Sequence, residues 1–413
     1  MVHGVSERPS TGPAPAGTAR VVDLDHAATT PPRPEALAAA APFRGERYGN
    51  PSGTHALARD AVRALDEARE QVAGVLGRSP GEIVFTSGGT ESDVHAVSGG
   101  LPARPGVPVC PATEHHAVLD TVRVLDGRVV AVDRFGRVDL GALAGVLDEL
   151  AAARASGDGP GAGVVSVMLA NNELGTTNDL QAVAEVVGRH APGVPLHTDA
   201  VQAAAWLDLA VTAAPADLVT LSGHKFGGPR GSGVLVVGRG VALRPLLHGG
   251  GQERGRRSGS VDVAGAVGLS AALVATATER PLIVEAVARR RDDLLRGLTE
   301  RIDGLVPTVP ADPGVGVLAN FAHVTVPGVD AEPLLYLIDR GGVRASAASS
   351  CSSGALQPSH VLEAIGRVGG GVPGAPLRLT LGRTTSDADV RHAVGVIADA
   401  VERLRTHRPA GRA

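Results

Sequence analysis

The chain has 413 residues, 43% of them hydrophobic and 20% charged, with a formal net charge of -4. This size accommodates one large domain and a smaller one, and the balance excludes both wholesale disorder and the basic footprint of a nucleic-acid-binding domain. The N-terminus lacks the apolar stretch of a secretory signal, and the two cysteines, Cys110 and Cys351, lie too far apart for a disulfide framework or a metal knuckle, so the expected compartment is the reducing cytoplasm.

Residues 1–20 (Met1 to Arg20) are rich in Gly, Pro, Ser and Thr without periodicity and read as a disordered leader. Apolar residues at Val62, Leu65, Ala68, Val72, Val75 and Leu76 predict an amphipathic helix over Leu57 to Leu76. A strand is expected at Ile83 to Phe85. Further β-type runs at Val107 to Cys110, Val129 to Val132, Val164 to Leu169, Gly193 to Leu196, Leu218 to Leu221 and Gly233 to Val237 alternate with helical patterns at Leu140 to Ala153 and Leu180 to His190. Such alternation implies an α/β domain with a mostly parallel sheet covered on both faces.

After the Gly-rich segment His248 to Arg257 the pattern changes to longer helices over about Val261 to Arg301, then a strand near Val317 to Val326. These shifts divide the chain into a large domain over 21–255, a smaller α+β domain over 256–405 and a tail over 406–413. The uncharged run Val263 to Thr278 is shorter than the ~20 residues a bilayer core requires, so it reads as a buried helix and no membrane association is expected. The glycines of Gly157 to Gly163 precede a strand instead of following one, which rules out a dinucleotide fingerprint there.

Of the 39 basic residues one is a lysine, Lys225, and the rest are arginine. An ε-amine can lose its proton near neutral pH and attack a carbonyl to form a Schiff base, which a guanidinium cannot; the plain alternative is a surface survivor. Its surroundings, Leu221-Ser222-Gly223-His224-Lys225-Phe226-Gly227-Gly228, follow a strand and are flanked by glycines. Two other segments share that setting. Phe85-Thr86-Ser87-Gly88-Gly89-Thr90 leads from a strand through a glycine pair into a helix, suited to a phosphate or simply to a turn. His197-Thr198-Asp199-Ala200-Val201-Gln202 follows a predicted strand, so that Asp199 either faces the crevice at the strand ends or caps a helix.

Taken together these features describe a pyridoxal phosphate site. Lys225 carries the Schiff base, and Asp199 keeps the pyridine nitrogen protonated so that the ring can accept electrons from the substrate Cα. Gln202 bonds the ring oxygen, His115 stacks on the ring, and Gly89, Thr90, Ser222 and His224 hold the phosphate. Cys351, in the small polar stretch Ala348 to Gly354, reads either as a thiol nucleophile on an adaptable loop or as part of a linker. Cys110, among valines, reads as structural.

Nine motifs in order extend this reading over about residues 21–405: LDHAATT at 24–30, GNPS at 49–52, FTSGGTES at 85–92, TEHHAVLD at 113–120, NNELG at 171–175, HTDAVQ at 197–202, SGHKFGGPRG at 222–231, GGGQERGRRSGS at 249–260 and LRLTLGR at 377–383. On these the chain resembles the cysteine desulfurases of the NifS/IscS type, class V aminotransferases of the fold-type I pyridoxal phosphate enzymes.

The resemblance implies conversion of L-cysteine to L-alanine, with the sulfur held as a persulfide on Cys351 and passed to an acceptor: a tRNA thiolation enzyme, an iron–sulfur cluster scaffold or a biosynthetic sulfur carrier. It implies that Asn172 contacts cofactor or substrate, that Arg378 grips the substrate carboxylate, and that Ser260 reaches the phosphate of a neighbouring subunit in a homodimer. The thiol loop departs from the usual pattern, with Ser346-Ala347-Ala348-Ser349-Ser350 before Cys351, and His116 stands where a lysine is common. Selenocysteine lysis, transamination and a non-catalytic sulfur relay are the competing functions.

Overall fold

The structure is a computed structural model that describes residues 20–101, 106–309, 316–347, 359–367 and 374–407. The expected leader, apart from Arg20, and the thiol segment with Cys351 lie outside the described residues.

The described chain opens with β1 (Val22–Asp23), α1 (Pro34–Arg44) and α2 (Ala56–Leu76). Of the predicted stripe, Leu65, Ala68, Val72 and Leu76 of α2 are buried and Val75 is half-buried. Val62 falls off that face and is exposed. His55 caps the start of α2 by accepting from the Ala58 N–H, and Gly77 ends it in the left-handed conformation.

The central layer follows as β2 (Ile83–Thr86), α3 (Gly89–Gly99), β3 (Val107–Pro111), α4 (His116–Val124), β4 (Arg128–Val130), α5 (Leu140–Ser156), β5 (Ala162–Ser166), α6 (Leu180–His190), β6 (Leu196–Asp199), α7 (Leu209–Thr212), β7 (Leu218–Ser222) and β8 (Gly233–Val237). Among the described residues these strands form a seven-stranded sheet in the order β2-β8-β7-β6-β5-β3-β4. All run parallel except β8, which is antiparallel to both neighbours. Its central strands β5, β6, β7 and β8 are buried along their whole length, as double coverage by helices requires.

Two strand assignments need correction, the first being the strand expected over Val164 to Leu169, which runs from Ala162 to Ser166. The sequence pattern places a strand over Gly193 to Leu196 with His197, Thr198 and Asp199 beyond it; the strand instead runs from Leu196 to Asp199. Polar residues sit inside the sheet because they have partners there. His197 bonds the Ser166 hydroxyl through Nδ1 at 2.8 Å and the Thr220 hydroxyl through Nε2 at 3.0 Å.

The second half contains α8 (Val263–Arg301), β9 (Val306–Pro307), β10 (Phe321–Pro327), α9 (Ala331–Arg340), β11 (Val343–Arg344), α10 (His360–Ala364), β12 (Gly374–Thr380) and α11 (Asp387–Thr406). The helices expected after residue 261 are one continuous 39-residue helix with Pro281 inside it. Its first half buries Val263, Ala266, Leu269, Ala272 and Leu273 and packs on α1 and α2, while its later part meets α11 and β10. β12, β10 and β9 form an antiparallel sheet. β1 pairs in parallel with β11, and the next residues join β12 through the Asp25–Thr380 bridge. The start of the described chain therefore belongs to the C-terminal layer. We propose that the division expected at residue 255 falls within α8, with residues 22–25 on its C-terminal side.

Candidate active site

A cavity of about 640 Å³ opens at the carboxyl ends of β2, β6 and β7, the place where parallel α/β sheets bind ligands. Gly89, Thr90, His115, Asn172, Asp199, Gln202, Ser222, His224, Lys225 and Arg378 all line it. Ser260 does not: it is exposed and lines a separate cavity of about 100 Å³ beside Ser87 and Arg257.

The anion end is built where β2 passes through Ser87 and Gly88 into α3. Gly88 has φ of 151°, a region that favours glycine. A Cβ on Gly89 would lie 3.1 Å from Val201 Cγ2 and 3.5 Å from Ser222 Cβ, so glycine lets the helix start sit close against the ends of β6 and β7. The first N–H groups of a helix lack intrahelical partners and attract anions.

The GGGQERGRRSGS segment buttresses this turn, a role that sequence reasoning missed. Glu253 accepts two bonds from buried Arg69, at 2.8 and 2.9 Å, and one from the Phe85 N–H at 2.9 Å. Arg257 Nε bonds Glu91 at 2.9 Å, and Glu91 also accepts from the Ser87 N–H and hydroxyl. Burial alone would raise the Glu91 carboxyl; the Arg257 and Ser87 bonds outweigh it and hold the group below its usual range.

Lys225 ends the short 3₁₀ turn after β7. Its Nζ donates to the carbonyls of Ala27 at 2.5 Å and Ala28 at 3.0 Å, and Gln202 Nε2 donates to Ala27 O at 3.0 Å. The segment after β1 thus forms the wall opposite the lysine. His224 reaches Thr29 Oγ1 at 3.1 Å, and burial followed by the Lys225 charge lowers its pKa to about 4.

Asp199 ends β6 with Oδ1 on the Val201 N–H at 2.8 Å; burial raises it to about 6 against the downward pull of that bond and of Lys225. His115 caps α4 by accepting the Ala117 N–H on Nδ1, and burial, then Lys225, lowers it to about 4. It is a neutral ring at physiological pH. Two buried carboxyls went unsingled in the sequence: Asp93 on α3, and Glu114, whose Oε1 takes the Met168 N–H at 2.5 Å. The available signal for Asp93 was the buried face of α3, where Ser92, Asp93 and His95 occupy positions that an ordinary core helix fills with apolar residues.

Arg378 is 2% exposed and donates to Asp25 Oδ1 at 2.8 Å and to the Asn172 carbonyl at 2.9 Å. Among the described residues its Nε and the Asn172 Oδ1 are buried without hydrogen-bond partners, an unusual state for buried polar atoms. The end of the thiol segment docks nearby: Ser359 Oγ bonds Glu173 Oε2, and His360 Nε2 bonds the Glu114 carbonyl at 3.0 Å. Cys110 is fully buried in β3, and burial pushes its thiol up.

The arrangement combines an anion cradle, an amine beside a buried carboxyl and an arginine with unused donor capacity. It suits an anionic ligand that bears a carbonyl. Comparison with known proteins identifies the family. The profile of the "Aminotransferase class-V" family matches residues 22–392. An "IscS-like cysteine desulfurase" of Mycobacterium tuberculosis is 41% identical over 399 residues, covering 92% of this chain and 96% of that protein. Among solved structures, a "NifS-like protein" superposes with a TM-score of 0.82 at 31% identity, covering 93% of this chain and all (100%) of the other. One titled "SspA in complex with cysteine" gives 0.72 at 28% identity, covering 88% and 100%. The chain belongs to the class-V aminotransferase family.

Proposed function

We propose that this protein is a pyridoxal phosphate-dependent cysteine desulfurase that converts L-cysteine to L-alanine and carries the sulfur as a persulfide on Cys351. The observation that carries the reading is the chain's sole lysine in one cavity with Asp199 and the Gly88–Gly89 helix start. The residues fit the cofactor: glycine at position 89 lets the start of α3 lie close against Val201 and Ser222, the Asn172 Oδ1 lacks a partner among the described residues, and Lys225 is an amine suited to an aldehyde.

Lys225 would hold the cofactor covalently, Asp199 would serve its ring nitrogen, His115 would pack against the ring, Gln202 and Asn172 would serve its polar edge, and Thr90, Ser222 and His224 would take the phosphate. The bound ring supplies a sink for the electron pair released when the substrate Cα loses its proton. Lys225 removes that proton and returns protons to the product carbons. Arg378 fixes the substrate carboxylate, and neutral His115 stays free to exchange a proton.

The Cys351 thiolate attacks the substrate sulfur, so an S–S bond forms as the Cβ–S bond breaks. The carbon skeleton is reduced by two electrons to alanine and the sulfur is oxidised to the persulfide level, with no outside oxidant. The persulfide then serves an acceptor protein of tRNA thiolation, cluster assembly or a biosynthetic pathway. We place the enzyme in the cytoplasm, where a reducing milieu keeps Cys351 a thiol. We also infer a homodimer, supported by the position of Ser260 outside its own chain's cavity and by the exposed Leu246 and Leu247 near the Gly-rich segment.

The test is product analysis from L-cysteine. Alanine and sulfur are expected in equal amounts, with the persulfide mapped to Cys351; Cys351→Ser is expected to form no persulfide. Unchanged turnover by that variant would exclude the persulfide route and favour transamination or selenocysteine lysis. Arg378→Lys, which loses the fork, is expected to raise KM for cysteine about 10-fold or more with a smaller change in kcat. An unchanged KM in steady-state kinetics would remove Arg378 from the carboxylate site.

A further inference from the structure

Asp93 is 1% exposed, yet it lines the large cavity, and its Oδ1 has no hydrogen-bond partner among the described residues. The donor atoms of Asp93, Asp199 and His115 all lie within 4.8 Å of one another. Two acidic groups therefore face the same small volume. Whether both can be ionised depends on the cations that face them.

From β6, His197 Nε2 lies 3.7 Å from Asp93 Oδ1, but it is bonded to Thr220 Oγ1, and burial lowers that ring to about 3, leaving it neutral. From the turn before α4 come neutral His115 and the Glu114 carboxyl, which burial holds well above the usual carboxylate range, so that neither brings a cation to Asp93. From the turn after β7, Lys225 points its Nζ at the Ala27 and Ala28 carbonyls, and its charge draws Asp199 downward. Thr220 on β7 favours the ionised form of Asp93, but burial and the nearby Asp199 and Glu114 oppose it and leave the group well above the usual carboxylate range. An ionised Asp93 would face a like charge on Asp199 with no cation of its own.

We propose that Asp93 is a positioning residue that works as a neutral carboxylic acid, filling the wall between α3 and β6 with a polar group while leaving Asp199 the one negative charge under the cofactor ring. The proposal rests on the pyridoxal phosphate reading for its catalytic meaning, though the state of Asp93 itself does not depend on it. An amide at this position would reproduce both shape and charge. A second anion would compete with Asp199 for the same proton and weaken its hold on a cationic ring nitrogen.

The test compares wild type with Asp93→Asn, using Glu114→Gln to identify the signal of the other buried acid. In the cofactor-free protein, infrared spectra at pH 7.5 are expected to contain a protonated-carboxyl band that Asp93→Asn lacks and Glu114→Gln retains. This readout stands even if the cofactor reading fails. In the cofactor-loaded protein, Asp93→Asn is expected to bind pyridoxal phosphate within about threefold of wild type. It should keep the acid limb of the cofactor's visible spectrum and lose an alkaline limb present in wild type. If Asp93→Asn does not fold, Asp93→Ser carries the infrared comparison. A wild-type spectrum without a protonated band, a band unaltered by the Asp93 variants, or a tenfold loss of cofactor affinity in Asp93→Asn would overturn the proposal.

Discussion

Lys225→Ala is expected to lower kcat for alanine formation by about 10⁴-fold or more, because one substitution removes both the covalent tether of the cofactor and the base that moves the Cα proton. No other side chain in the chain is a primary amine. Lys225→Arg is not expected to restore activity, since a guanidinium stays protonated and cannot attack an aldehyde. Both variants are expected to fold, because the Ala27 carbonyl keeps its bond from Gln202. Steady-state assays, circular dichroism and the visible spectrum of the bound cofactor check these points together. Borohydride reduction followed by peptide mapping is expected to label position 225 in wild type only. Normal turnover by Lys225→Ala would remove the assignment.

Asp199→Asn is expected to reduce kcat about 10²–10³-fold, the scale for losing one preorganised electrostatic contact, with a smaller loss of cofactor affinity. The same substitution has the opposite effect on the cofactor-free protein. Burial raises the Asp199 carboxyl from 3.8 to about 6, so the fold prefers its neutral form. That preference contributes fully below the unfolded value and is lost as pH rises through about 6. At pH 8 the ionised group therefore destabilises the cofactor-free fold by about 3 kcal/mol relative to a neutral isostere. Asp199→Asn is expected to resist urea better than wild type at pH 8, with the gap closing towards pH 4. Cofactor retention by wild type is expected to fall as pH drops below about 6, and that dependence should flatten in the variant. Equal urea midpoints at pH 8 would contradict a buried, ionised Asp199.

The large elements were legible because their apolar spacing is regular. The apolar run of β7, the valine-rich β8 and the stripes of α2 and α6 needed no tertiary information. The register of β6 was not legible, since His197, Thr198 and Asp199 look like loop residues until Ser166 and Thr220 are placed beside them. β1 and β11, two residues each, carry no periodic signal and form only by pairing across the fold. Lys225 stood out by its rarity and Asp199 by its place near a strand end. Asp93 and Glu253 did not, because a single carboxylate among 43 acidic residues gains meaning only from what it is buried against.

The partnership of β1 with β11 has a temporal consequence. During synthesis the amine at position 225 leaves the ribosome more than a hundred residues before Val343 and Arg344 do, so the strand that seats Ala27 and Ala28 beside it has no docking place. That wall of the pocket is completed only after Val343 and Arg344 have emerged. A nascent or truncated chain ending before Val343 would lack the β11 seat of that strand and carry the lysine without its enclosure.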